Sequence, residues 1–458
     1  MNMKEKQPKE EKPILRSTVI TEDELYEMVY DKVTNKTSYI KIDRRGSLEF
    51  FIEKIKIGTE KYQPYPPTNN LVEKGVILFP SLPCPYDNEE EILSEIRTFI
   101  HKYLDISEVY EQIATYYVLF TWMYDKFNEV PYLRAIGDFG SGKSRFLQTI
   151  GVLCYKPIFT GGATTPSPIF RIVNEVRGTL IIDEADFKFS DMTSEIVKIL
   201  NSGYQKGTPV LRSEGKGTFE VKAYDVFSPK IIATRETFSD KALESRFLVE
   251  EMGNGGLRSD IPRTLKENFY KDAELIRNKL LMWRLKNYFA PVIYREELIE
   301  GIHPRLNQIV IPLLSTINDE DIRERLKKFI VEYNGELVAD RGLSWESDIV
   351  FAILKLEHEG FNAEITVNEI AKAVNEQIDE KEENLTARKV GWYLRKRLQL
   401  KPYRRNRGYV LSFKTNRKKL DFWKERYGIT DADIRGEEVH DVNDVHITED
   451  IDKQSQIF

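Results

Sequence analysis

The chain has 458 residues, of which 41% are apolar and 31% charged, with a formal net charge of -6 at pH 7. This length predicts about three domains, and there is no run of about eighteen apolar residues that would predict a membrane span. Because the first residues are charged rather than signal-like, we expect a soluble, cytoplasmic protein with no membrane partner. The two cysteines, Cys84 and Cys154, lie in no paired motif and the five histidines are scattered, so we expect neither disulfides nor a metal cluster.

The N-terminal part of the chain changes character twice. Residues 1–13 are rich in lysine, glutamate and proline and are predicted to be disordered. Residues 14–85 contain short β-like runs and predict a small β-rich module that ends in a proline-rich stretch. Two helical segments, about 89–103 and 107–127, then lead into the next motif.

A phosphate-binding motif lies between an apolar run, 132–136, and a helical one, 145–150. Residues 137–144 read Gly-Asp-Phe-Gly-Ser-Gly-Lys-Ser, which is the complete G-x-x-x-x-G-K-[ST] pattern in a strand-loop-helix setting. Glycines at 137, 140 and 142 let backbone N–H groups surround a triphosphate at the start of the helix. Lys143 is predicted to reach the β- and γ-phosphates and Ser144 to hold Mg²⁺, so ATP and Mg²⁺ are the expected cofactors.

A second apolar run ends in two acids forty residues after Lys143. Residues 178–184 read Gly-Thr-Leu-Ile-Ile-Asp-Glu. This pattern predicts a buried strand from which Asp183 holds the Mg²⁺ shell and Glu184 polarises the attacking water. The alternative is an ordinary core strand followed by a solvated acidic turn.

A hairpin and a further apolar strand follow. Residues 210–213 and 218–224 predict two strands around a turn in which glycines flank Lys216, and the hairpin by itself predicts only a solvated lysine at the tip. Residues 229–235 predict an apolar strand that ends in polar residues, and residues 242–249 carry a Ser-Arg-Phe motif around Arg246.

This order of parts resembles AAA+ ATPases whose hairpin precedes the sensor 1 strand. The chain is similar, over roughly residues 107–315, to minichromosome-maintenance and superfamily 3 ring helicases and their relatives on mobile elements. Because the loop at 160–166 runs straight into a helix, without the insertion of minichromosome-maintenance proteins, the resemblance is to the compact relatives.

The resemblance implies a role for each residue along this region. Thr234 would be sensor 1, where the family more often has Asn, and Arg246 would be an arginine finger that reaches the ATP of the neighbouring subunit. Lys216 would contact single-stranded DNA in the channel of a ring, most simply a hexamer. Arg305 is the best candidate for sensor 2, with Arg277 and Arg284 in reserve, and the alternative for each is a salt bridge on a helix surface.

Residues 345–413 predict a winged helix-turn-helix. Helices are expected at about 346–358, from a capping box at Thr366 to Val374, and at 387–398, followed by a two-stranded wing. Between residues 388 and 426 there are fifteen Lys or Arg and two acids, a local charge of +13 in a chain of -6. This concentration predicts contact with duplex DNA rather than a solvated or protein-docking face, through Arg388, Lys389, Trp392, Arg404, Arg405 and Arg407.

The predicted fold is therefore α/β and has six segments. They are a disordered start (1–13), a β-rich module (14–85), an AAA+ core with a parallel sheet (86–255), a helical lid (256–340), a winged helix (341–428) and an acidic tail (429–458). The tail is predicted to be disordered, and to mask the basic module or dock a replication partner.

Two functions fit these predictions. The first is an ATP-dependent ring helicase or translocase that replicates a mobile element. The second is a DNA-binding initiator or loader that uses ATP as an assembly switch and unwinds nothing.

Overall fold

A computed structural model describes residues 13–183, 191–214, 220–238, 240–253, 258–295, 298–342, 345–361, 363–376 and 385–435. The chain forms two compact units, Met1–Val331 and Glu332–Phe458. The predicted segments 14–85 and 86–255 and most of 256–340 fall within the first unit. The division between the units at 331/332 and the predicted boundary at 340/341 both fall inside the helix Glu320–Gly342.

The first unit begins with two small sheets. One is a four-stranded antiparallel sheet in the order β2-β3-β4-β5, and the other has the order β1-β7-β6. Their strands are β1 (Ile14–Leu15), β2 (Thr18–Ile20), β3 (Glu24–Asp31), β4 (Lys36–Asp43), β5 (Leu48–Ile52), β6 (Ile55–Ile57) and β7 (Glu60–Gln63).

A five-stranded sheet with all pairs parallel forms the centre of the first unit, in the order β14-β8-β13-β10-β9. The central strand β13 is buried along its whole length, as expected for a parallel sheet covered on both faces. The elements of this region are α1 (Asn70–Glu73), α2 (Glu89–Tyr103), α3 (Glu108–Thr121), β8 (Tyr132–Ile136), α4 (Lys143–Gly151), β9 (Ile158–Thr160), α5 (Pro166–Val176), β10 (Leu180–Ile182), α6 (Asp191–Ser202), β11 (Val210–Glu214), β12 (Glu220–Tyr224), β13 (Lys230–Thr234), α7 (Lys241–Glu244) and β14 (Phe247–Glu251).

Three long helices follow the sheet. They are α8 (Glu267–Asn287), α9 (Pro304–Ser315) and α10 (Glu320–Gly342). The prediction of an α/β fold with a parallel sheet is confirmed. In the part of the chain that the structure describes, no helix combines the length and the apolar character that a membrane span requires.

A buried ion network joins the N-terminal strands to the rest of the first unit. The carboxylate of Glu27 on β3 forms ion pairs with Lys156 Nζ at 2.8 Å and with Arg284 Nε of α8 at 2.8 Å. Arg284 also forms an ion pair with Asp125 at 2.7 Å. Tyr155 donates its hydroxyl to Glu27 at 2.7 Å. The N-terminal strands therefore share a buried polar interior with the central sheet.

The second unit alternates helices with short strands. Its elements after α10 are α11 (Trp345–His358), β15 (Glu364–Thr366), α12 (Val367–Asn375), α13 (Ala387–Lys396), β16 (Tyr403–Arg405), β17 (Gly408–Ser412), α14 (Phe413–Arg426) and α15 (Asp431–Arg435). The strands form an antiparallel sheet in the order β15-β17-β16 around an apolar core. The capping box predicted at Thr366 and Glu369 is confirmed, since each side chain accepts from the other residue's backbone N–H.

The start of the predicted acidic tail is ordered. Residues 431–435 form α15, whose start is capped by reciprocal hydrogen bonds between Thr430 and Asp433. Ile429 and Ile434 pack against the core of the second unit, which explains why this acidic segment folds. The tail beyond residue 435 and the first twelve residues lie outside the described residues, so their predicted disorder stays a prediction.

Candidate functional site

A cavity of about 340 Å³ lies at the carboxyl ends of the central strands β8, β10 and β13. Ligands of open parallel sheets bind at this edge. The cavity is lined by the phosphate-loop region and by the residues that end β10 and β13, namely Phe139, Gly140, Ser141, Gly142, Lys143, Ser144, Arg145, Asp183, Ala233, Thr234 and Arg235.

The glycines give the loop its path between β8 and α4. Gly140 and Gly142 have φ values of +80° and +97°, which side chains rarely adopt, and α4 begins directly after Gly142. At Gly137 an added Cβ would lie 2.6 Å from the carbonyl oxygen of Met252, at the end of β14. The loop is thereby held against the sheet, with the N-terminus of α4 at the cavity.

Lys143 folds back over the loop. Its Nζ donates to the carbonyl oxygens of Gly137 at 2.6 Å and Asp138 at 2.7 Å. The ammonium group therefore lies within the turn that the motif predicts for phosphates, next to Ser144 on the first turn of α4.

Asp183 and Thr234 reach the same cavity from neighbouring strands. The pairing of β10 with β13, and of β13 with β8, aligns the strand ends, so Thr234 lies opposite Ile136 at the start of the loop. Asp183 directly follows β10, and its backbone N–H donates to Thr160 at 3.0 Å. Glu184, the predicted water-polarising residue, lies outside the described residues.

Two polar atoms in this cavity lining are buried without a hydrogen-bond partner among the described residues. They are Ser141 Oγ and Thr234 Oγ1. A buried hydroxyl without a partner costs free energy that a polar ligand can recover. Together with the ammonium group of Lys143, a third hydroxyl at Ser144 and the carboxylate of Asp183, these atoms form a ligand set that suits a magnesium-bound triphosphate.

The structure does not bring Arg246 or Arg305 to this cavity. Arg246 is 5% exposed, its guanidinium lies 4.4 Å from the ring of Tyr204, and it donates to the carbonyl oxygen of Ala242. Arg305 donates to the same carbonyl oxygen at 3.4 Å. Burial, and then the neighbouring Arg305, lower the pKa of Arg246. The two guanidinium groups therefore lie next to each other, and neither lines the cavity at the strand ends of the same chain.

The two reserve candidates for sensor 2 are committed to other contacts. Arg277 is buried and donates to the carbonyl oxygen of Val152 at 2.8 Å, and Arg284 belongs to the buried ion network with Glu27 and Asp125. Neither side chain lines the cavity.

A buried ion pair connects the phosphate-loop strand to the Ser-Arg-Phe segment. Arg134 on β8 forms a bidentate pair with Glu244, with a distance of 2.7 Å between Nη1 and Oε2. The guanidinium also lies 4.9 Å from the ring of Phe238, whose backbone N–H donates to Glu244 at 3.0 Å. Arg246 follows Glu244 by two residues, so this pair fixes the position of the segment that carries it.

Two arginines hold the hairpin strands β11 and β12 against α5 and α6. Arg171 on α5 pairs with Glu214 and donates to the hydroxyl of Tyr224 at 2.9 Å. Arg212 on β11 pairs with Glu195 of α6, and its guanidinium lies 4.9 Å from the ring of Phe170. The predicted tip residue Lys216 lies outside the described residues.

The predicted DNA-contacting residues of the second unit lie on α13 and on the β16–β17 hairpin. Arg388, Lys389 and Trp392 are exposed on α13. Arg405 and Arg407 form ion pairs with Glu364 of β15 at 3.1 and 3.8 Å. Arg404 does not pair with Glu364. Hydrogen bonds from Tyr403 and then Arg405 lower the pKa of Glu364, so this carboxylate is charged between the two arginines.

Several cavity residues escaped the sequence analysis. Ser141 and Arg145 flank the residues that the motif defines, and Arg235 directly follows Thr234. Arg145 also donates to the carbonyl oxygens of Pro262 at 2.9 Å and Arg263 at 2.8 Å, which holds the chain that leads into α8. Each of these residues is adjacent in sequence to a residue with a predicted role, and this adjacency is the signal from which a place in the cavity could have been predicted.

No protein-family model matches the chain, and a search of curated proteins found no match. Among solved structures, the apo C-terminal region (305–718) of NrS-1 is 12% identical, covers 84% of this chain and 95% of that chain, and has a TM-score of 0.33. A full-length MCM homologue from Methanopyrus kandleri is 11% identical, covers 71% and 76%, and has a TM-score of 0.35. The JCV helicase is 14% identical, covers 59% and 65%, and has a TM-score of 0.23. At these identities and TM-scores the likenesses define no family for this chain.

Proposed function

We propose that the chain is an ATP-hydrolysing motor of the AAA+ class, a DNA helicase or translocase that acts as a ring in the replication of a mobile element. One observation carries the proposal. Residues 139–144 of the phosphate loop, Asp183 at the end of β10 and the unpartnered hydroxyl of Thr234 line a single cavity at the edge of a parallel sheet. The strand order is β14-β8-β13-β10-β9, so β13, which ends at Thr234, lies between β8, which leads into the phosphate loop, and β10, which leads to Asp183. This order supports an AAA+ core.

The cavity residues divide the work of holding a magnesium nucleotide. Lys143 would neutralise phosphate charge, Ser144 and Asp183 would hold Mg²⁺, and Ser141 and Thr234 would gain hydrogen bonds for their buried hydroxyls. When bound, the nucleotide supplies the phosphoanhydride bond whose hydrolysis drives movement. Glu184 is proposed to orient the attacking water and accept its proton.

The second half of the site is proposed to come from a neighbouring copy. Arg246 and Arg305 lie together, and the Nε of Arg246 has no hydrogen-bond partner among the described residues. Two adjacent guanidinium groups suit an anion that another subunit presents. Because Tyr204 covers Arg246, its ring has to move aside, while Arg305 is the more accessible of the two. A heterologous interface of this kind closes into a ring, for which we propose a hexamer.

DNA is proposed to contact both units. Lys216 would meet a single strand in the channel of the ring, at the tip of a hairpin whose strands Arg171 and Arg212 hold against α5 and α6. In the second unit the order helix, strand, helix, helix, hairpin supports a winged helix, with Arg388, Lys389, Arg404, Arg405 and Arg407 near the duplex.

Strand displacement and ATP hydrolysis on forked DNA test the proposal. Glu184→Gln is expected to abolish both, whereas Lys216→Ala is expected to abolish displacement and retain most of the ATP hydrolysis. The matched control is Lys222→Ala, which removes a lysine paired with Glu214 at 3.3 Å on the same hairpin and should retain displacement. ATP-dependent DNA binding without any displacement by the wild type would instead identify an initiator or loader.

A further inference from the structure

One face of the second unit alternates arginines with exposed aromatic rings. On α13, Arg388, Trp392 and Arg395 lie at positions i, i+4 and i+7 and are all exposed, whereas Val390 and Leu394 on the opposite face are buried. Trp392 is 48% exposed, which is unusual for so large an apolar side chain. The helix therefore presents a continuous basic and aromatic stripe.

The stripe continues onto the β16–β17 hairpin. The guanidinium of Arg395 lies 5.7 Å from the ring of Tyr409, which is 51% exposed. Tyr409 pairs with Arg404 across the hairpin, so these two side chains share one face of it. We call the five residues Arg388, Trp392, Arg395, Arg404 and Tyr409 the arginine-aromatic surface.

The arginines of this surface differ from several other arginines of the unit. Arg397 is paired with Glu346 at 3.0 Å, Arg405 with Glu364 at 3.1 Å and Arg417 with Asp421 at 3.5 Å. Within the described residues, Arg388, Arg395 and Arg404 form no ion pair. Three arginines that are available to a polyanion therefore lie on the same surface as two half-exposed aromatic rings.

The combination selects a ligand that carries both phosphates and accessible ring faces. Duplex DNA offers phosphates, but its base faces are stacked inside the helix. A single strand offers both, and proteins that bind single strands pair a basic surface with aromatic rings on which bases stack. Unpaired arginines alone would suit any nucleic acid, whereas two half-exposed rings between them favour unpaired bases.

We propose that the arginine-aromatic surface binds single-stranded DNA, with bases stacked on Trp392 and Tyr409 and phosphates on the three arginines. The inference rests on the proposed function in DNA replication and adds an unpaired strand to the duplex contact proposed above. The second unit would then hold the single strand beside a duplex end.

The test measures binding of the full-length chain, without nucleotide, to three fluorescent DNAs of equal length. They are a mixed-sequence single strand, the same strand with abasic sites in place of its bases, and a duplex closed at both ends by non-nucleotide linkers, which expose no unpaired base. Trp392→Ala and Tyr409→Ala are expected to weaken binding of the single strand about tenfold each, and Trp392→Phe much less. The salt dependence of affinity should stay unchanged, because no phosphate contact is lost. The matched control is Phe422→Ala, since Phe422 is also 51% exposed in this unit and lies near an arginine, Arg426 at 5.8 Å.

Affinities for the abasic strand and the closed duplex should change less than about twofold in the two alanine variants, because neither ligand offers a stacked base to lose. Equal losses on the closed duplex, no loss on the single strand, or an equal loss in Phe422→Ala would each overturn the proposal. ATP hydrolysis without DNA, measured on the same variants, reports on the motor separately. If the variants hydrolyse ATP at the wild-type rate and bind the single strand as tightly as the wild type, this inference is wrong and the proposed ATPase is unaffected.

Discussion

Arg134 places a full positive charge inside the central sheet, on the strand that leads into the phosphate loop. The charge is tolerated there because Glu244 accepts both ends of the guanidinium and two aromatic rings, those of Phe238 and Phe247, cover it. A buried ion pair contributes little net stability compared with an apolar pair, but the loss of one partner leaves an uncompensated buried charge.

We therefore expect Arg134→Met to lower the free energy of unfolding by about 3–5 kcal/mol, because Glu244 would stay buried without its partner. The double variant Arg134→Met/Glu244→Met should recover most of that loss, since both charges are then absent. Urea unfolding followed by tryptophan fluorescence measures both values. Wild-type stability in the single variant would show that Glu244 finds solvent or another partner.

Lys156 gives the buried network at Glu27 a dependence on pH. Burial lowers the pKa of this lysine to about 8, and the attraction of Glu27 only partly offsets the shift. An ordinary lysine titrates at 10.5, so the folded protein releases this proton first. Between these two pH values the unfolded chain binds more protons, and the free energy of unfolding therefore rises with pH.

The expected result is that the wild type gains stability relative to Lys156→Met as the pH rises from about 8 to about 10. Below about pH 8 the lysine is protonated in both the folded and unfolded states, so the difference between the two proteins should be constant. Unfolding curves at several pH values measure this difference. Lys54→Met, which removes an exposed lysine, is the control and should show no such trend. A wild type that loses stability relative to Lys156→Met as the pH rises would contradict this expectation.

At the scale of elements, the β11–β12 hairpin depends on its neighbours. Two isolated strands are only marginally stable, and here Arg212 ties one of them to α6, the helix that follows the segment after Asp183. A displacement of α6 would therefore move β11. Because α6 comes after Asp183 in the chain, we expect this contact to couple the proposed nucleotide site to the proposed DNA-contacting tip.

Reversal of the charges tests the link between Arg212 and Glu195. Arg212→Glu and Glu195→Arg alone should each lower the amount of DNA unwound per ATP about three- to fivefold, because like charges then face each other in a half-exposed pair. The double variant Arg212→Glu/Glu195→Arg should restore part of the loss. ATP hydrolysis and strand displacement measured on the same samples give the ratio. Two single variants with wild-type ratios, or a double variant worse than both, would show that the pair does not couple the elements.

The same scale shows what the sequence could predict. The strands and helix around the phosphate loop follow from local apolar patterns and a fixed motif, and the structure has them at 132–136 and 143–151. Strand β15 has three residues, too few to show an alternation, and the contact between Arg134 and Glu244 joins positions 110 residues apart. The capping box at Thr366 could be predicted because both partners lie within one turn, whereas the buried partner of Arg284 lies on an N-terminal strand. Long-range pairs leave no local signal.

At the scale of the whole molecule, the two halves of the proposed catalytic site lie on different parts of one chain. The cavity proposed for the nucleotide is lined by Lys143 and Asp183, while Arg246 and Arg305 lie together elsewhere. A lone chain would therefore have an incomplete site, and a head-to-tail assembly would complete it at every interface.

Assemblies that mix two inactive variants test this arrangement, because ATP hydrolysis should return only where each variant supplies the half of the site that the other lacks. Lys143→Ala destroys the nucleotide cavity but keeps Arg246, and Arg246→Ala does the reverse, so each variant alone should hydrolyse ATP very slowly. When the two are assembled together in equal amounts, about a quarter of the interfaces combine an intact cavity with an intact arginine, and hydrolysis should rise to about a quarter of the wild-type rate. The control mixture is Lys143→Ala with Asp183→Ala, which damages the same half of the site in both chains and should stay inactive. A first mixture no more active than its components would mean that Arg246 does not act across an interface between copies.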